Sequence, residues 1–267
     1  MPSKTLIIGA FGYIGSACLA SGLGTYPIDY DADYDNLTRE QLSEWDTIIL
    51  LAGHSSVLQC IQHPQGAWKN NVTKFERLVN KIDRQKLIYA SSGSVYNRCE
   101  VTDESNRYFY LTNIYDLTKY TIDQLALLSG KNVYGLRFGT VCGYSPRVRE
   151  DLMINRMYSL KDTGKIQVNN TAITRPILAI SDLVRAVKAI IEGEDRPGIY
   201  NLASFTKTVG EVAFEVATRY SVDIEHTPPT PAYDFTMDTS KFQDTYNFMF
   251  QADLTSILTS LENETIN

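Results

Sequence analysis

Two hydrophobic rhythms alternate along this chain. Short runs without a polar face stand at Thr5-Leu6-Ile7-Ile8, Thr47-Ile48-Ile49-Leu50-Leu51, Lys86-Leu87-Ile88-Tyr89-Ala90 and from Asn132 to Phe138, with a briefer one over 25–29. Such runs fit strands covered on both faces of a parallel sheet. Between them the apolar spacing turns helical. Ile14, Ala17, Cys18 and Leu19 follow the first run, and Val72, Phe75, Leu78, Val79 and Ile82 share one face of a helix predicted over 68–82. Ile122, Leu125 and Leu128 predict a further helix that starts near Tyr115 and turns these residues to the core. Strand–helix alternation with right-handed crossovers predicts an α/β fold, a doubly wound parallel sheet of the Rossmann kind.

The stretch 97–113 is polar and without period, and past Gly143 the alternation loosens. Helices over 152–160 and 182–191, an extended stretch 173–180 and a strand 198–202 are expected, followed by short helices around Pro228-Pro229-Thr230-Pro231. The expected organisation is a dinucleotide-binding lobe over 1–143 and a smaller mixed α/β substrate lobe over 144–267. Residues 173–203 should pack back onto the first lobe.

Ligands of such sheets bind beyond the carboxyl ends of the strands, so chemistry is sought there. The first run ends in Gly9-Ala10-Phe11-Gly12-Tyr13-Ile14-Gly15. Glycines at this spacing allow a tight turn, close approach of a pyrophosphate to backbone, and close packing of helix on strand. The helix N-terminus would face the phosphates. Taken alone, the turn is equally well explained as a packing device. Asp29 follows Gly9 by 20 residues, where a dinucleotide fold places an acid on the adenosine ribose, with Asp31 as the fallback. The acidic series Asp29, Asp31, Asp33, Asp35 has no arginine nearer than Arg39, which favours NAD over NADP. At the end of the third run, Leu51-Ala52-Gly53 would let backbone pass close to a cofactor. Asn71 lies off its apolar stripe, as a surface residue or as a positioned hydrogen-bonder.

Tyr115 and Lys119 stand one helical turn apart on one face. A phenol titrates near ~10, too high for a base at neutral pH, and a neighbouring cation lowers that value. Ser92, at the end of the fourth run, can bond the same substrate oxygen. This set suits removal of a hydroxyl proton while hydride leaves the same carbon, or the reverse.

Composition narrows the partners. The 267 residues, 43% hydrophobic and 21% charged with a net charge of −6, suffice for a full core and give no basic surface for nucleic acid or membrane. No apolar run approaches a membrane span. Cys18, Cys60, Cys99 and Cys142 are scattered, and His54, His63 and His226 lack ligand spacing, so neither disulfides nor a metal are expected. A strand begins directly after Met1-Pro2-Ser3-Lys4, and the expectation is a soluble, reduced, cytoplasmic protein.

By Gly9/Gly12/Gly15, Leu51-Ala52-Gly53, Asn71-Val72, Ser91-Ser92-Gly93-Ser94-Val95-Tyr96, Tyr115/Lys119, Leu136-Arg137-Phe138-Gly139, Thr174-Arg175-Pro176 and Tyr200-Asn201-Leu202, the chain resembles the extended short-chain dehydrogenase/reductase family. It is most similar to the nucleotide-sugar epimerases and dehydratases. The resemblance implies NAD as cofactor, Tyr115 as base, Lys119 as its partner and Ser92 as the third member. It also implies adenine contacts from Asp35 and Asn36, and a clamp on a nucleotide diphosphate by Arg175. Ser94 and Asn155 become further substrate contacts, while Arg147 and Arg149 either gate the pocket or form a solvated loop. Relatives often pair through two helices, one carrying the Tyr–Lys motif, so a homodimer is implied.

Departures from the family pattern narrow the reaction. Sugar 4,6-dehydratases carry an Asp-Glu pair where this chain has Gly93 and Ser94, which argues against elimination of water. A C4 epimerase and an NAD(P)H-dependent 4-keto-sugar reductase remain, and the preference for NAD favours the epimerase. A dinucleotide-sensing protein without chemistry is the third reading. Thr140 replaces the usual asparagine, and 228–235 lacks the usual arginine, which leaves the nucleotide open.

Overall fold

The computed structural model describes residues 3–24, 26–28 and 33–266, so Asp29 and Asp31 lie outside the described residues. Elements follow in the order β1 (Thr5–Ile8), α1 (Tyr13–Ala20), β2 (Tyr26–Ile28), α2 (Arg39–Ser43), β3 (Thr47–Leu50), α3 (Val57–Gln62), α4 (Pro64–Trp68), α5 (Lys74–Lys81), β4 (Lys86–Ser92), α6 (Ile114–Ser129), β5 (Val133–Phe138) and β6 (Thr140–Cys142). Then come α7 (Met153–Ser159), β7 (Lys165–Val168), β8 (Thr174–Ala179), α8 (Ile180–Glu192), β9 (Gly198–Leu202), β10 (Phe205–Thr208), α9 (Val209–Tyr220), β11 (Asp223–His226), α10 (Ser240–Tyr246) and α11 (Leu254–Asn263). The main sheet is parallel throughout, in the order β2-β1-β3-β4-β5-β9. Chain direction across the sheet reverses between β1 and β3, which opens a crevice at their carboxyl ends.

Alternation along each strand divides the core in two. Ile7, Ile49, Ile88, Tyr134 and Leu136 face α1 and α8, whereas Leu6, Ile8, Ile48, Leu50, Leu87 and Tyr89 face α5 and α6. Both faces are therefore covered, and this explains why the strands show no alternating polar face. The doubly wound sheet is the expected one. The helix expected over 68–82 begins earlier, at Pro64, and is interrupted over Lys69–Thr73 by a π-helical turn before α5. Leu128 does not face the core: it is 84% exposed and continues an outward stripe on α6 with Leu117, Thr121 and Gln124.

Beyond β5 the chain leaves the sheet and returns. Strand β8 pairs with β6 and β10 in a separate three-stranded sheet, and β7 pairs with β11. These elements share a core with α7, α9 and α11. Strand β9 rejoins the main sheet beside β5, and Phe242 of α10 buries itself in the core on the α1 and α8 face. Helix α9 carries a capping box between Thr208 and Glu211, a sequence signal for the helix start. No described helix is long and apolar enough to cross a membrane.

Helix α6 is tied to the sheet by buried charge. Arg137 Nε donates to Asp123 Oδ2 at 2.8 Å, Tyr89 donates to Asp123 Oδ1 at 2.8 Å, and Arg137 Nη1 donates to the Tyr96 hydroxyl at 2.6 Å. The guanidinium also lies over the rings of Tyr96 and Phe109, at 5.0 and 5.3 Å from their centroids. Both charges are almost without solvent contact, so removing one strands the other in a low-dielectric interior. Asp123→Ala is expected to lower the free energy of unfolding by about 3–5 kcal/mol in urea denaturation.

Candidate active site

Close packing at the glycine turn comes first. Gly9 has φ +87°, and a side chain there would put Cβ 2.6 Å from the amide nitrogen of Ala52. At Gly15 a Cβ would fall 2.2 Å from the carbonyl oxygen of Gly9. Both positions are thus dictated by contact between turn, helix and the 51–53 loop. At Gly12 the nearest atom to a Cβ would be Gly9 O at 3.4 Å, and this residue leaves the floor of the crevice bare. Gly12 is also the N-cap of α1, and no side chain caps the first turn. An uncapped helix N-terminus above a shelf without side chains suits the pyrophosphate of a dinucleotide.

A cavity of about 560 Å³ runs from this turn across the carboxyl ends of β3 and β4 toward β8. Gly9, Phe11, Gly12, Tyr13, Ile14 and Gly15 border one end. Leu51, Ala52 and Gly53 form a side wall. Ser92, Ser94, Tyr115 and Lys119 stand in the middle, and Arg175 closes the far end with Tyr233 and Phe235. One space therefore joins the residues expected at the cofactor to those expected at the substrate.

Four expected site residues do not border it. Asn155 is buried with its amide fully engaged: Oδ1 accepts from Gly143 N, and Nδ2 donates to the Tyr13 hydroxyl and to Arg149 O. It ties α7 to α1, with both amide hydrogens and one oxygen lone pair engaged within the protein. Asn71, in the π-helical turn, accepts from His54 N at 2.8 Å and donates to His54 O and Thr118 Oγ1. It holds the Gly53–His54 loop against α6 and does not touch the cavity itself. Asp35 lies in the short 3-10 turn Tyr34–Asn36, with its carboxylate paired to Arg77 and its carbonyl accepting from Lys81 Nζ. Neither Asp35 nor its neighbour Asn36 reaches the cavity described. Lys74 pairs with Asp33 at 2.9 Å, so α5 brings three cations to an acidic stretch that has none beside it in sequence. The charge argument for NAD over NADP is correspondingly weakened.

At the centre, burial outweighs the expected effect of the lysine. Tyr115 is pushed up to about 12 by burial, opposed chiefly by a hydrogen bond with Ser92. Lys119 is pushed down to about 8, again by burial. Its Nζ donates to Ala90 O at 2.8 Å and lies over the Tyr115 ring, 5.8 Å from the centroid, within cation–π range. The spacing alone suggests a phenol made acidic by its neighbour. In the folded protein a protonated phenol and an easily neutralised amine face the same cavity.

Several residues in or just behind the cavity wall carry no recognisable sequence signal. Asp116, beside Tyr115, is buried and accepts from Ser94 Oγ at 2.6 Å and from Tyr233 at 3.1 Å. Thr140 Oγ1 accepts from Nε and Nη2 of Arg175 at 3.2 and 3.0 Å, and Tyr233 O accepts from Nη1. The guanidinium is thus oriented by neutral oxygens and keeps its charge for an anion. Arg149 borders the cavity and donates to Ser55 Oγ across it at 3.2 Å, while pairing with Asp151; Arg147 is exposed. Of the two arginines in that loop, Arg149 is the one that borders the cavity.

Comparison with known proteins agrees with this geometry. A family model described as the NAD dependent epimerase/dehydratase family matches residues 5–203. An uncharacterized protein of Methanocaldococcus jannaschii is 30% identical over 188 residues, which are 66% of this chain and 56% of that protein's own length. Among solved structures, MoeE5 in complex with UDP-glucose and NAD superposes with a TM-score of 0.84 at 22% identity, covering 98% of each chain. The UDP-glucuronic acid 4-epimerase of Bacillus cereus, bound to UDP-glucuronic acid and NAD, superposes with a TM-score of 0.83 at 17% identity, also over 98% of each chain. At these identities the superpositions establish the fold.

The Asn155 tie is directly testable. Asn155→Ala leaves the buried Tyr13 hydroxyl and Gly143 amide short of a partner, and should cost about 1–3 kcal/mol of stability in urea denaturation.

Proposed function

The chain belongs to the NAD dependent epimerase/dehydratase family, and we propose that it epimerises a nucleotide-activated sugar through a transient 4-keto intermediate. The observation that carries this reading is the single cavity joining the glycine turn to Tyr115, Lys119 and Ser92, and these to Arg175. We assign 1–143 to the cofactor and 144–267 to the substrate, with β9 returning to the first. The Gly9–Gly15 turn, the α1 N-terminus, the Leu51–Gly53 wall and Lys119 would hold NAD, which supplies a hydride acceptor that can give the hydride back. Asp29 or Asp31 would take the ribose hydroxyls, and Asp35 and Asn36 would stand toward the adenine. Relatives that hold UDP-sugars beside NAD support the same division of the cavity.

The protein's own part is positioning and proton movement. Arg175, forked on Thr140, offers its planar guanidinium to a diphosphate. Tyr115 removes the proton of the sugar hydroxyl and later returns it, and Ser92 orients the phenol. Inversion follows when the keto sugar turns over before the proton and hydride come back. Gly93 and Ser94 offer no carboxylate at the cavity wall for eliminating water.

A reductase of the same fold is the second reading. It is favoured by Lys74, Arg77 and Lys81 beside the acidic stretch, which offset the repulsion of a 2′-phosphate. With NAD and a panel of UDP-, GDP- and dTDP-hexoses and hexuronic acids, NMR should reveal an epimer without net cofactor consumption. Tyr115→Phe should slow that reaction roughly 10²–10⁴-fold. Stoichiometric oxidation of NADH or NADPH would select the reductase, and unaltered activity in Tyr115→Phe would sink the assignment of the base.

We also propose a homodimer through α6, α3 and α4. Leu117 and Leu128 on α6, Leu58 and Ile61 on α3, and Trp68 at the end of α4 are exposed, and α3 and α4 both pack against α6. An apolar surface of this kind marks an association site. Light scattering should give twice the chain mass, and the double variant Ile61→Glu/Leu128→Glu should give the monomer.

A further inference from the structure

Two hydroxyls of the cavity wall, from Ser94 and Tyr233, end on one buried carboxylate, Asp116. Tyr233 is held in place by its neighbour: Asp234 N donates to Asn97 Oδ1 at 3.0 Å, and Asp234 Oδ1 accepts from Thr174 N at 2.8 Å. We propose that Asp116 restricts the cavity to neutral sugars. By taking the protons of Ser94 and Tyr233 it leaves only lone pairs for a ligand there, with a negative charge behind them, so that a sugar hydroxyl is accepted and a sugar carboxylate refused.

A count of protons fixes the polarity of this wall. Ser94 has one hydroxyl proton and donates it to Asp116 Oδ1 at 2.6 Å. The Tyr233 hydroxyl donates its own to the same carboxylate, 3.1 Å from each oxygen. Asn113 Nδ2 spends both of its hydrogens as well, on Asp116 Oδ2 at 2.6 Å and on the Tyr233 oxygen at 2.8 Å. An ionised carboxylate has no proton to give, so neither hydroxyl can turn to a ligand without leaving a buried charge short of a partner. Ser92 is different. Its hydroxyl meets the neutral one of Ser94 at 2.8 Å and can turn its proton to a ligand.

A sugar hydroxyl meets such a wall as a donor. A carboxylate brings only lone pairs of its own, and a single hydroxyl would separate it from Asp116. Ser94 stands beside Ser92, so the group it meets belongs next to the reacting carbon. On a hexose that reacts at C4, that neighbourhood includes C6, where a hydroxymethyl or a carboxylate is carried. Arg149, the cation on the cavity that Arg175 leaves over, is already paired with Asp151. Helix capping accounts for the bond between Asn113 and the Asp116 amide, but not for a carboxylate turned to Ser94 and Tyr233. Among the described residues no cation is bonded to Asp116. Tyr115 and Tyr233 are its titratable neighbours, and Arg175 lies over the Tyr233 ring from β8 at 6.0 Å. Burial raises the affinity of Asp116 for a proton, and its three hydrogen-bond partners oppose the rise.

This restriction rests on the nucleotide-sugar reading of the cavity but not on turnover, so binding tests it. UDP-glucose and UDP-glucuronic acid differ only in a hydroxymethyl or a carboxylate at C6, as do GDP-mannose and GDP-mannuronic acid. Titration calorimetry on the NAD-loaded protein should give the neutral member of a pair at least about tenfold the affinity of the acidic one. In Asp116→Asn the amide nitrogen cannot face Asn113 Nδ2, so it takes the place of Oδ1 and donates to Ser94, whose proton turns outward. The two affinities should then come within about threefold of each other, the acidic ligand gaining. Ser94→Ala, which keeps the carboxylate, should weaken the neutral ligand alone. The wild-type preference should narrow as pH falls from about 8 to about 5 and Asp116 takes up a proton, and Asp116→Asn should show no such trend. A purely structural role would weaken both ligands together. Parallel losses, a wild-type preference for the acidic member, or a preference unchanged in Asp116→Asn with circular dichroism intact would each overturn the restriction. Equal binding of both members overturns it while the nucleotide-sugar reading stands. No binding in either pair overturns that reading and the restriction with it.

Discussion

Helix α6 supplies Tyr115, Asp116 and Lys119, and everything chemical in this fold depends on how firmly it is seated. The seat is a guanidinium lying over two adjoining aromatic rings and bonded to a carboxylate that water does not reach. Arg137 belongs to β5, Asp123 to α6 and Tyr89 to β4, so one buried network spans three elements. Such a pair contributes modest net stability against an apolar replacement, but it penalises any slip that would part the charges. Two lighter ties add to it. Asn71 bridges the His54 loop to Thr118, and Lys119 reaches back to Ala90 O at the end of β4.

At the opposite wall, the cofactor cradle and the core are the same contacts. Gly9 and Gly15 are glycines because backbone from the 51–53 loop and from the turn itself occupies the space of a side chain. Packing thereby leaves an uncapped helix end facing a bare floor, which is also what a pyrophosphate needs. The choice between a structural and a functional glycine turn is therefore no choice here. From this wall Tyr13 extends the tie across the molecule: its hydroxyl donates to Gly143 O and accepts from Asn155, and its carbonyl accepts from Ser145. These bonds fasten the start of α1 to the 143–155 stretch beside the cavity.

Low dielectric decides the protonation states in that cavity. Along the helix, a lysine one turn from a tyrosine suggests an acidified phenol. In the folded chain, desolvation moves Tyr115 up and Lys119 down, so burial outweighs the effect that the helical spacing suggests. Neutral oxygens then do the arranging. Thr140 and the Tyr233 carbonyl aim Arg175, and the Ser94 hydroxyl joins Ser92 to Asp116.

How much of this was legible before folding follows from the range of each interaction. Strand runs, helix stripes and the glycine turn are local patterns, and they determined the parallel sheet, its order of elements and the residues at the strand ends. Tyr115, Lys119 and Ser92 were legible for the same reason, since each lies at the mouth of a readable element. The protein partners of Asn155 and Asn71 were not legible, because an amide looks alike in sequence whether it bonds protein or ligand. Asp116 passed as an ordinary position between Tyr115 and Lys119, because only the fold brings Ser94 and Tyr233 to it. The cations on α5 and the oxygens around Arg175 were hidden for the same reason. Pattern along the chain determined which backbone would form. Tertiary structure alone decided which polar atoms were already spent, because hydrogen bonds and desolvation act between residues far apart in sequence.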